Sequence, residues 1–106
     1  MPKILTIDTS NNKKIEIGLN INGEKSKISS ESTVLKSEAV LPLIDKLLKE
    51  NNVNFMEIKG IKVNIGPGSF TGLRVGVSIA NALGYLLKIP VNGKEIGELT
   101  APVYNK

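Results

Sequence analysis

Histidine and cysteine are both missing from this 106-residue chain, and so is tryptophan. Without histidine the commonest general base and metal ligand is gone. Without cysteine there is no disulfide framework, no thiolate zinc site and no cysteine nucleophile, which fits a reducing compartment. Aromatic residues make up only 4%, too few for the stacking platforms on which single-stranded RNA is usually held. Long apolar runs are lacking as well. The most apolar stretch, Val75 to Val91, is interrupted by Ser78, Asn81 and Lys88 and falls short of the roughly 20 apolar residues a bilayer requires. The apolar patch near the N-terminus ends at Asp8, so it does not read as a secretory signal. Cytoplasmic localisation is the expectation.

What the chain does have is lysine. Lysine and arginine total 14 against 10 acidic residues, a net charge of +4, and Arg74 is the only arginine. The lysines are scattered along the whole length, the pattern of a solvated surface more than of an RNA footprint. At 41% hydrophobic residues, a chain of this size has material for one core and one domain.

Lys3 to Asp8 is a short apolar run without clean alternation, which predicts a central strand covered on both faces. Ile15, Ile17, Leu19 and Ile21 alternate with Lys14, Glu16, Gly18 and Asn20, the period of a strand with one face in the core. Asn22-Gly23 then predicts a tight type I′ turn into a polar third strand over Glu24 to Ser30, where Lys25 and Lys27 discourage edge pairing. Val40, Leu41, Ile44, Leu47 and Leu48 recur at helical spacing from Ser37 to about Glu50. Pro42 requires that helix to begin near Ser37 to Ala39 or to kink. Ile61, Val63 and Ile65 alternate as a fourth strand, a second helix follows from an N-cap at Ser69 to about Leu87, and Ile89-Pro90-Val91 offers a short fifth strand.

Between the fourth strand and the second helix lies NIGPGSFTGLRVG, residues 64–76. Gly66 and Gly68 permit backbone angles closed to other residues, Pro67 fixes one φ, and the helix start presents unpaired N–H groups able to face an anion. The string lacks the lysine of a P-loop and is not a GxGxxG, so phosphate chemistry does not follow from it. Along the helix, Arg74, Ser78, Asn81, Tyr85 and Lys88 form one polar stripe and the remaining circumference is apolar or small. Gly72, Gly76, Ala80 and Gly84 repeat every fourth position, a spacing that admits close approach either by the protein's own sheet or by a partner helix.

The order β-β-β-α-β-α-β is the layout of a ribonuclease H-like α/β fold, a mixed sheet of about five strands. ILTIDTS, SEAVLPLIDKLLKE and above all GPGSFTGLRVG, in that order, resemble the bacterial TsaB (YeaZ) family of the actin-like ATPase superfamily, the dimerization subunit of the tRNA threonylcarbamoyladenosine machinery. The resemblance covers residues 3 to about 93. Family proteins are about twice as long, so residues 1–106 correspond to their N-terminal domain alone, with the second domain absent and residues 94–106 forming a tail. That tail is similar, at TAPVYNK, to the Pro-x-Tyr ending of full-length members. Lys36 stands where the family commonly has a histidine before Ser37-Glu38.

The resemblance implies a non-catalytic scaffold without a cofactor or metal. It would pair through helices 37–50 and 69–87 with a TsaD-like subunit or with a second copy, with a TsaE-like ATPase in the same complex and tRNA reached only through it. Leu43, Leu47, Gly72, Leu73, Val75, Gly76, Ile79, Ala80 and Leu83 are the expected partner surface. Asp8, Thr9 and Ser10 stand where the superfamily's first-strand loop meets nucleotide, beside Gly66, Gly68 and Ser69, but the opposite wall of such a site lies in the second domain; Asp8 reads mainly as a turn residue. Ser69 and Thr71 have no histidine to activate them. The family's glycoprotease descriptions rest on kinship with TsaD, whose metal-binding histidines have no counterpart here. A small actin-like ATPase or M22-type hydrolase and an RNA-binding module remain the competing functions.

Overall fold

The Asn-Gly pair sets the first half of the molecule. In the computed structural model, which describes residues 2–11, 13–31 and 36–102, Asn22 and Gly23 take φ of 54° and 90°, the left-handed values a type I′ turn demands. They join β2 (Lys14–Ile21) to β3 (Glu24–Glu31), and β2 pairs antiparallel with β1 (Lys3–Asp8). β4 (Ile58–Val63) then pairs parallel with β1 on its other side, giving a four-stranded sheet in the order β3-β2-β1-β4.

Two helices make the crossovers. Helix α1 spans Lys36–Glu50 and α2 spans Phe70–Leu87. They touch each other, α1 lying over β2 and β3 and α2 over β4 and β1. One core results: Leu5 and Ile7 of β1, paired across the ladder with Leu19 and Ile17 of β2, meet Val40, Ile44, Leu47 and Leu48 of α1 and Leu73, Val77 and Ala80 of α2, all buried.

Both helices therefore lie on one face of the sheet. This corrects the expectation that β1 is covered on both sides: Leu5 and Ile7 are buried whereas Ile4, Thr6 and Asp8 are half-buried, so β1 alternates as a one-sided strand does. The reading failed because Ile4 supplies an apolar residue to the open face. β4 begins at Ile58, earlier than its alternation suggested, and ends at Val63; a short 3₁₀ turn at Phe55–Glu57 leads into it. Pro42 sits in the second turn of α1, on the exposed side, rather than within the first.

The fifth strand is a single bridge, Ile61 to Val91. Ile61 donates to the Pro90 carbonyl and Asn92 donates to that of Ile61, after which Asn92 turns to φ of 53°. Its side chain finishes what a longer strand would have done: Oδ1 accepts from the Val63 N–H at 2.8 Å and Nδ2 donates to the Val63 carbonyl at 3.0 Å. A side-chain amide carries the same donor and acceptor as a peptide, so the edge of β4 is satisfied without further backbone.

Candidate functional site: the glycine corner and the outer helix face

The glycine corner is a joint built from three loops. Asp8 at the end of β1 accepts from the Ser10 N–H at 2.9 Å and the Ser10 hydroxyl at 2.6 Å, the Asx geometry expected of a turn aspartate. Asn64 donates to Ser10 Oγ at 3.2 Å and accepts from the Gly66 N–H at 2.9 Å. Ser69 donates its backbone N–H to the Ser10 carbonyl at 2.7 Å, and its hydroxyl caps α2 by accepting from the Gly72 N–H at 3.3 Å. The glycines are there for contact. A Cβ on Gly68 would stand 2.7 Å from that of Ser10, closer than side-chain carbons pack. Gly66, at φ of 115°, turns the chain as only glycine readily does.

The small-residue line of α2 continues this packing inward. Thr9, fully buried, donates its hydroxyl to the Gly72 carbonyl at 2.5 Å, and a Cβ on Gly76 would collide with the same hydroxyl oxygen. Further along, Gly84 faces Val91 and the Ile89 carbonyl. Of the two readings left open for this line, the protein's own sheet and loops are what approach it. Of the expected partner surface, Leu47, Gly72, Leu73, Gly76 and Ala80 are buried within the chain itself. Leu43, Val75, Ile79 and Leu83 are half-buried at the core's outer edge.

Outside that line α2 presents an apolar face. Leu86 is 72% exposed and Tyr85 74%, Ala82 and Thr71 are exposed, and Val75 and Ile79 lie between them. Val75, Ile79, Ala82 and Leu86 step by 4, 3 and 4, the spacing of one helix face. Leu41 of α1, 46% exposed, stands beside it, and together with Val75, Ile79 and Arg74 it borders a shallow depression of about 430 Å³. Leu41, Ala82 and Leu86 were absent from the expected surface; an apolar residue on a largely apolar helix gives no sequence signal of which side it occupies. Asn81, assigned to the polar stripe, is turned to the chain's own end: it donates to the Thr100 carbonyl at 2.8 Å and accepts from the Thr100 N–H at 3.0 Å. The tail's Pro-x-Tyr pattern runs past residue 102, outside the described residues.

Among the described residues no group of three or more carboxylates is placed to hold a metal ion, and no helix is long and apolar enough to cross a membrane.

Comparison with known proteins agrees with this architecture. Residues 31–97 match the family model described as TsaD, tRNA N6-adenosine threonylcarbamoyltransferase. The tRNA threonylcarbamoyladenosine biosynthesis protein TsaB of Haemophilus influenzae is 33% identical over 88 residues, covering 83% of this chain and 37% of that protein. Its Bacillus subtilis counterpart is 32% identical over 116 aligned residues, covering 96% of this chain and 49% of that protein. The solved structure of YeaZ from Pseudomonas aeruginosa superposes with a TM-score of 0.79 at 28% identity, over 86% of this chain and 42% of that one. The chain thus spans less than half the length of each of these relatives.

Proposed function

The chain belongs to the TsaB/YeaZ family, and we propose that it serves tRNA threonylcarbamoyladenosine biosynthesis as a non-catalytic subunit that docks on a TsaD-type transferase. The observation that carries this reading is the apolar outer face of α2, open among the described residues at Ala82 and Leu86 and half-buried at Val75 and Ile79, with the exposed Leu41 beside it. Contiguous exposed apolar surface on a soluble domain marks an interaction site, and a face on two adjacent helices fits helix-to-helix packing. The chain's lack of histidine and cysteine favours a supporting role over a hydrolytic one. The glycine corner reads as scaffold: Asp8 fixes the Ser10 turn, and Thr9 and Ser10 hold the start of α2 through Gly72 and Ser69.

Co-purification with the TsaD-type subunit of the same source tests this. Leu86→Asp and Leu41→Asp place a charge on the exposed part of the docking face and weaken pairing by at least tenfold, the cost of disrupting an interface anchor, while leaving the melting temperature near that of the parent. Retention of TsaD by both variants contradicts the reading. Self-association lost in the same variants, with no affinity for TsaD, assigns the face to a second copy. Turnover of ATP or of a peptide by the purified chain moves the function to the ATPase or hydrolase class.

A further inference from the structure

The sheet face opposite the helices carries a shallow trough of about 320 Å³ walled by Lys25, Lys27 and Lys62. Strand register aligns four residues across it in one row: Lys27 opposite Gly18, Gly18 opposite Thr6, Thr6 opposite Lys62. A lysine thus stands at each end, on the two outer strands, and a glycine and a threonine form the floor between. Three inter-strand spacings separate the lysines, about 14 Å between Cα atoms, and Lys25 lies about 7 Å from Lys27 along β3. Gly18 keeps the floor low. A Cβ there would collide with Thr6 Oγ1, and glycine inside a strand weakens it unless something approaches closely.

Lysines on outer strands also prevent edge pairing, but that role requires neither a glycine between them nor a shared row. Their charge is available. Glu16 is bound closely by Lys14 at 2.8 Å and only loosely by Lys27 at 3.8 Å; Lys25 and Lys62 have no ion pair among the described residues. Asp8 and Glu16 occupy the next row and border an adjoining depression that Lys27 and Lys62 also line, so the end of the trough at Lys25 is the most positive.

We infer that this trough contacts the phosphate backbone of RNA. The inference rests on the reading of the chain as part of a tRNA-modifying assembly. Three cations set about 7 and 14 Å apart suit successive phosphates of a chain, each lysine meeting one in turn. None of the four strands contains an aromatic residue, so the contact reads backbone charge and not base identity.

Anisotropy titrations of an unmodified tRNA transcript with the full chain provide the test. Three phosphate contacts predict a slope of log K against log salt of about −2.7, a loss of roughly 40-fold between about 50 and 200 mM salt. Lys25→Gln, Lys27→Gln and Lys62→Gln each flatten the slope by about one, and the triple variant removes most of the salt dependence; Lys46→Gln and Lys49→Gln on α1 leave it unchanged. Absence of tRNA binding at low salt overturns the inference. So does an α1 pair that flattens the slope as much as the trough variants, or tighter binding of a polyglutamate peptide than of tRNA. Testing the same preparation for TsaD docking separates the two ideas: a chain that docks but gives one of these results loses the RNA contact alone.

Discussion

Replacing Gly76 distinguishes packing inside the chain from packing against a partner. A methyl group at this position meets the hydroxyl of Thr9, itself buried and bonded to the Gly72 carbonyl. Thr9 can turn away only by giving up that bond, and a buried hydroxyl left unpaired costs about 1–3 kcal/mol. Alanine in place of glycine within a helix returns about 1 kcal/mol. Gly76→Ala is therefore expected to lose about 1 kcal/mol net, the difference of these two contributions. Gly76→Leu adds the cost of overfilling a packed site, about 1–3 kcal/mol more, for a total of about 2–4. At about 4–8 °C per kcal/mol for a domain near this size, the leucine variant should melt at least about 8 °C below the parent. Thermal unfolding followed by circular dichroism reads this directly. Thr9→Ala removes the obstructing oxygen, so the double variant Thr9→Ala/Gly76→Ala should be more stable than the two single losses predict when added. A Gly76→Leu protein that melts like the parent and yet no longer binds TsaD would refute the reasoning and put Gly76 on the outer surface.

Two further outcomes follow from single side chains. Asn92→Ala leaves the Val63 N–H and carbonyl without their partner and holds alanine in a left-handed conformation, a loss of about 2–4 kcal/mol when both effects are counted; Asn92→Gly relieves only the conformational part, so urea midpoints should rank Asn, Gly, Ala in descending order. The Glu57 carboxyl is held below its ordinary value, first by the Asn54 backbone N–H and then by Lys3. A lowered folded-state pKa means that its stabilisation is fully present above the unfolded value of 4.5 and is lost as pH falls through the folded one. Melting temperatures measured from neutral pH downward should therefore decline below about pH 4.5, and less steeply in Glu57→Gln; equal slopes contradict the capping role.

The fold was legible where local chemistry decides it. Asn22-Gly23 announced its hairpin, the alternation of Ile15, Ile17 and Leu19 gave the buried side of β2, and Ser69 capped α2 as expected. What escaped depended on tertiary neighbours. Gly72, Gly76 and Ala80 carry a spacing that any close neighbour satisfies, and only the position of Thr9 and the sheet decides which neighbour it is. Ile4 looked like core because a strand's composition does not say whether a second layer covers it. Asn92 and Asn81 bond to backbone 29 and 19 residues away, separations over which no short motif operates. The lysine trough was hidden for the same reason: Lys27 and Lys62 share a row only through the register of four strands.

Methyl NMR of the labelled chain titrated with the TsaD-type subunit tests the docking face most directly. The methyl signals of Leu41, Val75, Ile79 and Leu86 report the outer helix face, Ile4 reports the open sheet face, and Ile7 and Ile15 report the core. Shifts or broadening concentrated on the first group, with Ile4 unmoved, are the predicted result. Perturbation centred on Ile4 with the helix methyls unchanged, or no perturbation at any of these positions, would contradict the account.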